Sequence, residues 1–411
     1  MSLAGVSKSE FAGVALGIWV SLPAIFSLAY GLAGMRGHSA LSGAALAVCL
    51  LAIPLLLLRR VAFRAADFCF VLLALSMMCT FAIGAAAPAS TVESALLFVT
   101  LASYVACRFF TDEALAEGCA PFVAVCVTVV GLGTLATVVA LIQNWDARPK
   151  PMVLGSGATP TQLVQILAFP VLASLTLVTL TIRRAVVIAA MAAIPVAAFS
   201  AAQVRFSLAA LVGSVGLVAM LSKGGQRKLA MLVGCVIVLA AVMGALARYS
   251  KTQVLANYAL ETASGAITWE RPPSCDLNTN TKNSIAIRKA LVLDGLYLAP
   301  RAGFFGTGLD GFMQLSCVRQ TEIHNSFLQA FVEFGWLGGV LFLVLVVTSV
   351  CSIAGRARAE PVPLFLLSSL IFLAMIAIAY GRLSRDFTLF AFLGVVGGYA
   401  ESRLRRQQSG Q

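Results

Sequence analysis

Long apolar runs separated by short polar segments make up most of the chain. A bilayer core of roughly 30 Å is crossed by about 20 apolar residues in a helix, because a helix satisfies its own backbone hydrogen bonds. About 12 such runs occur, at residues 11–34, 39–58, 66–87, 90–107, 119–143, 161–181, 185–202, 206–222, 229–247, 326–354, 361–380 and 387–400. This pattern predicts an all-α polytopic membrane protein surrounded by membrane lipids.

One long hydrophilic segment interrupts the apolar runs. Nine predicted transmembrane helices fall in residues 1–248, a long polar loop follows at 249–325, and three more helices with a short tail occupy 326–411. Short loops rich in Lys and Arg are expected on the cytoplasmic side, which places both termini in the cytoplasm and the long loop outside. The first run is long and lacks a small-residue cleavage site, so it is expected to stay as a membrane anchor.

Composition narrows the functional classes. Apolar residues make up 60% of the chain and charged residues 11%, whereas soluble proteins carry charge on about a quarter of their residues. These values exclude a cytosolic enzyme, a disordered chain and a nucleic-acid binder. The formal net charge of +12 is therefore interpreted as membrane topology, because the basic residues lie between apolar runs rather than in one patch.

The long loop contains two segments with structural signals. Residues Ser284–Leu298 are mostly apolar with charged residues such as Arg288 among them, which predicts a short helix lying at the membrane surface. Residues 300–311 form a Gly-rich turn with aromatic side chains. Cys275 and Cys317 are the two cysteines of the loop, and an oxidising compartment could join them. Their spacing alone leaves open whether the two residues approach each other.

The sequence has no obvious metal-binding pattern. It contains two histidines, no Asp-x-Asp motif and no Cys/His cluster at ligand spacing. We therefore predict no metal site and no cofactor. Chemistry on a phosphate would then need Arg or Lys to balance the charge, and the Arg fork binds phosphate oxygens bidentately.

Three residues at the predicted outer surface could carry such chemistry. His324 stands where the long loop enters the tenth run, although composition alone favours an interfacial residue at a helix start. Arg205 lies in a short outer turn, where a snorkelling anchor is the alternative. Arg288 protrudes from the predicted surface helix and alone would be an ordinary headgroup contact. Glu333, about 13 Å deeper than His324, is predicted as a buried structural partner.

The segment that begins at His324 reads His-Asn-x-x-Leu-x-x-x-x-Glu-x-Gly-x-x-Gly. It follows the long loop, Arg288 on its amphipathic helix and the Gly306-x-Gly308 turn, and Arg205 lies on an earlier span. Together these features resemble the O-antigen ligase and O-antigen polymerase superfamily. The resemblance covers the layout of twelve spans and is sharp from Arg288 to the end of the motif.

The resemblance implies a GT-C-class membrane glycosyltransferase that works without a metal on the periplasmic face of the bacterial inner membrane. It implies a glycan donor linked to undecaprenyl diphosphate and, for a ligase, a lipid A-core acceptor. Family roles carry onto His324 as the residue that activates the acceptor hydroxyl, and onto Arg205 and Arg288 as ligands of the donor diphosphate. Direct displacement with one base implies inversion at the anomeric carbon.

Further polar residues are predicted near this site. Arg382 and Arg385, in the outer turn between the last two spans, are predicted as additional diphosphate ligands. A solvated turn with an internal ion pair to Asp386 is the alternative. Asp386 and Asn325 are candidate supporting residues, and Glu93, near an outer helix end, is a candidate contact for acceptor sugars.

Two other functions stay open on the sequence alone. An O-antigen polymerase uses the same donor but a glycan acceptor that is also carried on undecaprenyl diphosphate. Polymerases tend to have two sizeable outer loops, and the single long loop here favours the ligase. A polytopic lipid or solute transporter is the alternative from another class. Carriers place binding charge near the middle of the membrane, whereas the unusual polar residues here gather at one face.

Overall fold

A computed structural model describes residues 7–33, 61–83, 91–110, 112–145, 150–153, 156, 158–263, 284–318 and 321–409. These residues form sixteen α-helices: α1 (Lys8–Leu32), α2 (Ala65–Ala82), α3 (Thr91–Cys107), α4 (Asp112–Glu117), α5 (Cys119–Gln143), α6 (Thr159–Thr176), α7 (Ile182–Ala201), α8 (Phe206–Leu221), α9 (Gly224–Ala247), α10 (Tyr249–Ala263), α11 (Ser284–Leu298), α12 (Gly311–Leu315), α13 (Ser326–Glu333), α14 (Gly335–Ala354), α15 (Pro361–Tyr380) and α16 (Phe387–Ser409). Short 3-10 turns occupy Ala299–Arg301 and Leu383–Arg385. In the described ranges, β-structure is limited to an isolated bridge between Val153 and Ser156.

Seven of the described helices are long and apolar enough to cross a membrane, namely α1, α2, α5, α7, α9, α14 and α15. Helices α3 and α8 are apolar but shorter. The predicted all-helical, polytopic architecture is therefore confirmed. The count of twelve spans and the GT-C class stay predictions, and the run expected at 39–58 lies outside the described residues.

Aromatic packing holds the centre of the bundle, where α6, α15 and α16 meet. Phe169 of α6 stacks on Phe392 of α16 with ring centroids 4.9 Å apart. The same ring meets Phe372 of α15 edge to face at 6.1 Å. All three side chains are buried, and both geometries are the ones that aromatic pairs prefer. The two C-terminal helices are thereby fixed to the middle of the chain.

Small residues bring α7 and α9 into close contact. Gly244 of α9 packs directly on the backbone carbonyl of Ala197 in α7. Nearby, the Ser200 hydroxyl donates a hydrogen bond to the Ala241 carbonyl at 2.6 Å. Close packing and interhelical hydrogen bonds are the main sources of helix association in lipid, where apolar burial against tails gives little.

A buried ion-pair network ties the bundle together at the end where α1 begins and α16 ends. Arg108, which follows α3, lies 2.8 Å from Asp67 of α2 and 2.8 Å from Glu401 of α16. Ser9 of α1 hydrogen-bonds to Glu117 of α4 at the same end. The helices from α5 to α9 alternate in direction, so the long loop that follows α9 emerges at the opposite end.

Two differences from the predicted pattern concern the long loop and the span that follows it. The tenth run, predicted as one span at 326–354, is divided into α13 and α14 because Gly335 adopts a left-handed backbone with φ 72°. The long loop also contains α10, which was not predicted, before the surface helix Ser284–Leu298, which is found with its predicted bounds as α11.

We expect Gly244→Val to lower the apparent melting temperature of the detergent-purified protein, because a branched side chain would push α7 and α9 apart. Overpacking of this kind costs about 1–3 kcal/mol. The matched control is Gly216→Val in α8, where no neighbouring atom lies within 4 Å of an added Cβ. Equal melting temperatures for the two variants would contradict the assigned contact.

Candidate functional site

His324 lies in the loop between α12 and α13. Its backbone φ of 51° falls in the left-handed region that residues other than glycine rarely enter. On one side, Ile323 is buried in an apolar cluster with Leu291 of α11. On the other, Asn325 accepts a hydrogen bond from the Leu328 N–H at 3.0 Å and caps α13. The imidazole therefore sits on a strained turn between two anchored neighbours.

Arg288 of α11 is held by aromatic rings at the ends of two other helices. Its guanidinium carbon lies 4.4 Å from the ring centroid of Tyr380 in α15 and 5.2 Å from that of Phe206 in α8. The two rings meet edge to face at 5.8 Å. The guanidinium also donates to the Ala379 carbonyl at 3.3 Å. Cation–π contacts fix the position of the Arg without neutralising its charge.

Electrostatic coupling shows that four side chains lie near one another. Burial lowers the pKa of His324, and the positive charges of Arg288, Arg382 and Lys150 lower it further. Partial desolvation lowers the pKa of Lys150, which Arg288 and Arg205 depress in addition. The pKa of Arg205 is lowered by partial desolvation and by Arg288. His324 is therefore neutral near pH 7, and it stands among cations.

We call Lys150, Arg205, Arg288 and His324 the cationic pocket. Within the described part of the chain, none of these four side chains forms an ion pair with a carboxylate. Like charges held together without a counter-charge are unfavourable, so the arrangement favours binding of an anion. A diphosphate, with oxygens on two phosphorus atoms, can contact several of these groups at once.

Arg382 has the opposite environment. It is buried, with 7% of its surface exposed, and three carboxylates surround its guanidinium. Asp310 lies at 2.6 Å, Glu93 of α3 lies at 3.2 Å, and Glu322 forms the third ion pair. Glu322 is two residues before His324. The ion pairs therefore link the His324 loop to α3 and to the turn between α15 and α16.

The residues after Arg382 continue this network. Arg385 pairs with Glu93, and the Ser384 hydroxyl donates to the same carboxylate at 2.6 Å. Asp386 accepts a hydrogen bond from the hydroxyl of Ser326, the first residue of α13. Burial raises the pKa of Asp386 to about 7. The turn between α15 and α16 thus contacts the chain on both sides of His324, through Glu322 before it and Ser326 after it.

The Gly-rich turn closes against the break between α13 and α14. Gly306 and Gly308 have φ values of 81° and 87°, which only glycine adopts readily. The N–H of Gly308 donates to the Glu333 carbonyl at 2.9 Å. Gln329 donates to the Glu333 side chain at 2.7 Å and accepts from the Leu383 N–H at 2.7 Å. Burial raises the pKa of Glu333 to about 8, so the group is mostly protonated at neutral pH.

The structure brings His324, Arg205 and Arg288 to one end of the bundle, but it assigns other roles to several predicted residues. Arg382 and Arg385 are engaged by carboxylates, which does not support their predicted role as diphosphate ligands. Glu93 is 5% exposed and forms ion pairs with both of these arginines, so its carboxylate is already engaged within the protein. Asn325 supports the site as a helix cap and Asp386 as a hydrogen-bond acceptor.

Lys150 is the member of the pocket that sequence reasoning missed. It lies in the short segment between α5 and α6, where the sequence alone favours ordinary solvated loop charge. The residues next to Lys150 in the sequence do not indicate a binding role for it, because the arginines that lower its pKa, Arg205 and Arg288, lie more than 50 residues away. Three-dimensional proximity is what distinguishes it from other loop lysines.

Of the two cysteines in the predicted disulfide, the structure describes Cys317. Cys317 forms a disulfide, while the other cysteines of the described ranges are free. Cys275 lies outside the described residues, so the pairing of these two cysteines stays a prediction. The Cys317 N–H donates to the Asp294 carboxylate at 2.6 Å, which attaches this segment to α11.

No protein-family model and no curated protein sequence matches the chain. Among the described residues, no three His, Cys, Asp or Glu side chains are grouped as a metal site would require.

We expect Arg382→Met to lower the apparent melting temperature in detergent far more than Arg385→Met. Removing the buried guanidinium takes one positive charge away from Glu93, Asp310 and Glu322 together, and breaking buried ion pairs in this way typically costs about 3–5 kcal/mol. The side chain of Arg385 is 50% exposed, and solvent compensates for its loss. Similar melting temperatures for the two variants would show that Arg382 is not the centre of the network.

Proposed function

We propose that this protein is a membrane glycosyltransferase that moves a glycan from undecaprenyl diphosphate to lipid A-core, as an O-antigen ligase does. The reaction is inverting and independent of metal ions, and it takes place at the periplasmic face of the bacterial inner membrane. The observation that carries the proposal is the cationic pocket: Lys150 and Arg288 lower the pKa of His324, Arg205 interacts with both of these cations, and none of the four has a carboxylate partner among the described residues.

The charge of the pocket suits the donor. A lipid-linked diphosphate diester carries two negative charges, and it gains a further charge on its terminal phosphate when the anomeric bond breaks. Arg205, Arg288 and Lys150 supply three fixed positive charges for this group. Cations placed where negative charge develops stabilise the transition state more than the ground state.

His324 supplies the base. A sugar hydroxyl is a poor nucleophile until its proton is removed, and a neutral imidazole can accept that proton near pH 7. The acceptor oxygen then forms a bond to the anomeric carbon, and the electron pair of the breaking C–O bond leaves with the diphosphate. The lowered pKa keeps the base unprotonated before the reaction, at the cost of a weaker driving force for proton transfer.

The decisive experiment offers the purified protein its lipid-linked glycan donor together with both acceptors and a chelator. We expect glycan-extended lipid A-core. Lengthening of the lipid-linked glycan would identify a polymerase instead, and the absence of both products under conditions of proven folding would favour a transporter. Activity that is lost on chelation and restored by a divalent ion would contradict the role given to the cations.

Single substitutions separate the roles within the pocket. We expect His324→Ala to reduce kcat by about 10²-fold or more, as expected for loss of a general base. Arg205→Gln and Arg288→Gln should each reduce kcat/KM by about 10²-fold, because each removes a donor aimed at the developing charge. The matched control is Arg301→Gln, an exposed arginine of the same loop that stacks on Tyr297. Transfer by His324→Ala at the wild-type rate would refute the base assignment.

The pH dependence provides an independent check. The active form of His324 is the neutral one, so kcat/KM should rise with pH through the pKa of His324, below about 6.5, and then level off. Lys150→Gln removes a positive charge that depresses this pKa, so the acid limb should move to higher pH. Arg227→Gln, at the far end of α9, serves as the charge-matched control. An acid limb that does not move in Lys150→Gln would contradict the proposed coupling.

A further inference from the structure

An apolar cavity lies away from the cationic pocket. Helices α5, α6 and α7 enclose a cleft of about 680 Å³. Its lining includes Arg183 and Arg184 in the first turn of α7, whereas the last residues of α7 lead to Arg205 in the cationic pocket. The α5–α7 cleft therefore opens at the opposite end of the bundle, and the proposed glycosyl transfer does not use it.

The walls of the cleft are apolar and its floor is formed by buried side chains. Val130 of α5, Leu167 of α6 and Ala192 of α7 line the floor, and each has at most 4% of its surface exposed. Val187 and Met191 form an exposed rim on the lipid-facing side. No neighbouring atom lies within 4 Å of the position that a Cβ would take at Gly131, so the space beside α5 is open.

The length of the cleft matches one leaflet of a bilayer. Its lining on α7 extends from Arg183 to Pro195, which at 1.5 Å per residue is about 18 Å. Half of the hydrocarbon core is about 15 Å thick. A single acyl chain can therefore reach from the mouth of the cleft to the middle of the membrane.

The mouth of the cleft carries positive charge. Arg183 is exposed, and Arg184 is held in place by a hydrogen bond to the Thr179 carbonyl at 2.8 Å. Neither arginine is paired with a carboxylate among the residues that the structure describes. Two guanidiniums at the surface of a leaflet attract an anionic headgroup and bind its phosphate oxygens.

We propose that the α5–α7 cleft binds one anionic phospholipid of the leaflet opposite the cationic pocket. One acyl chain lies along Val130, Leu167 and Ala192, and the headgroup phosphate contacts Arg183 and Arg184. The occupant is a bilayer lipid rather than a soluble anion, because the apolar cleft continues directly from the charged mouth.

The test uses the full chain, purified, stripped of lipid and titrated in detergent with phosphatidylglycerol or with phosphatidylethanolamine of the same acyl chains. Native mass spectrometry counts the lipids bound to each protein molecule. We expect the first phosphatidylglycerol to bind about tenfold more tightly than phosphatidylethanolamine. The double variant Arg183→Gln/Arg184→Gln should lose this preference, and Gly131→Phe should weaken the binding of both lipids by filling the cleft.

The matched control is Arg227→Gln/Lys228→Gln, which removes two exposed cations from the start of α9 at the same end of the bundle. It should keep the preference for phosphatidylglycerol. Inorganic phosphate alone should not displace the lipid. The proposal is overturned if the wild type shows no preference, if both double variants behave alike, or if Gly131→Phe binds lipid as the wild type does. Both arginines are on the surface, so their replacement tests binding without breaking the core.

Discussion

The buried positive charge of Arg382 is the constraint on which the candidate site depends. A guanidinium removed from water costs several kcal/mol unless carboxylates surround it, and here three of them do. The three carboxylates come from the start of α3, from the Gly-rich turn and from the loop before α13. These segments must meet for the charge to be satisfied. His324 follows Glu322 by two residues, so its position is set by the same requirement.

Two kinds of arginine therefore share one end of the bundle. Arg382 is neutralised by the protein itself and serves the architecture. Arg205 and Arg288 form no ion pair with a carboxylate among the described residues, so their charge is not neutralised there. Aromatic rings rather than carboxylates hold Arg288 in place, which fixes its direction and leaves its Coulomb field intact. The distribution of counter-charges, more than the presence of arginine, distinguishes the arginine that stabilises the fold from the two whose charge is not neutralised by the described residues.

This distinction explains why the helices could be predicted from the sequence whereas the roles of individual arginines could not. The apolar runs predicted the helices because hydropathy is local, and α11 was predicted with its observed bounds from its length and its interrupting charges. Arg205 and Arg382 look alike in sequence, since both lie in short turns between spans. Their environments differ only through partners that are distant in the sequence, such as Glu93, Asp310 and Glu322 for Arg382. The break at Gly335 was missed because apolar composition continues through it, and it forms where the Gly306 turn packs against the chain.

The excess of positive charge in the cationic pocket also has a kinetic consequence. If the ligand is a lipid diphosphate, the group that leaves after transfer is more negative than the one that entered. The guanidiniums that lower the barrier then hold the spent carrier more tightly than the fresh donor, and turnover would be limited by its departure. Faster chemistry and slower carrier exchange would be two results of one cluster of unneutralised charge.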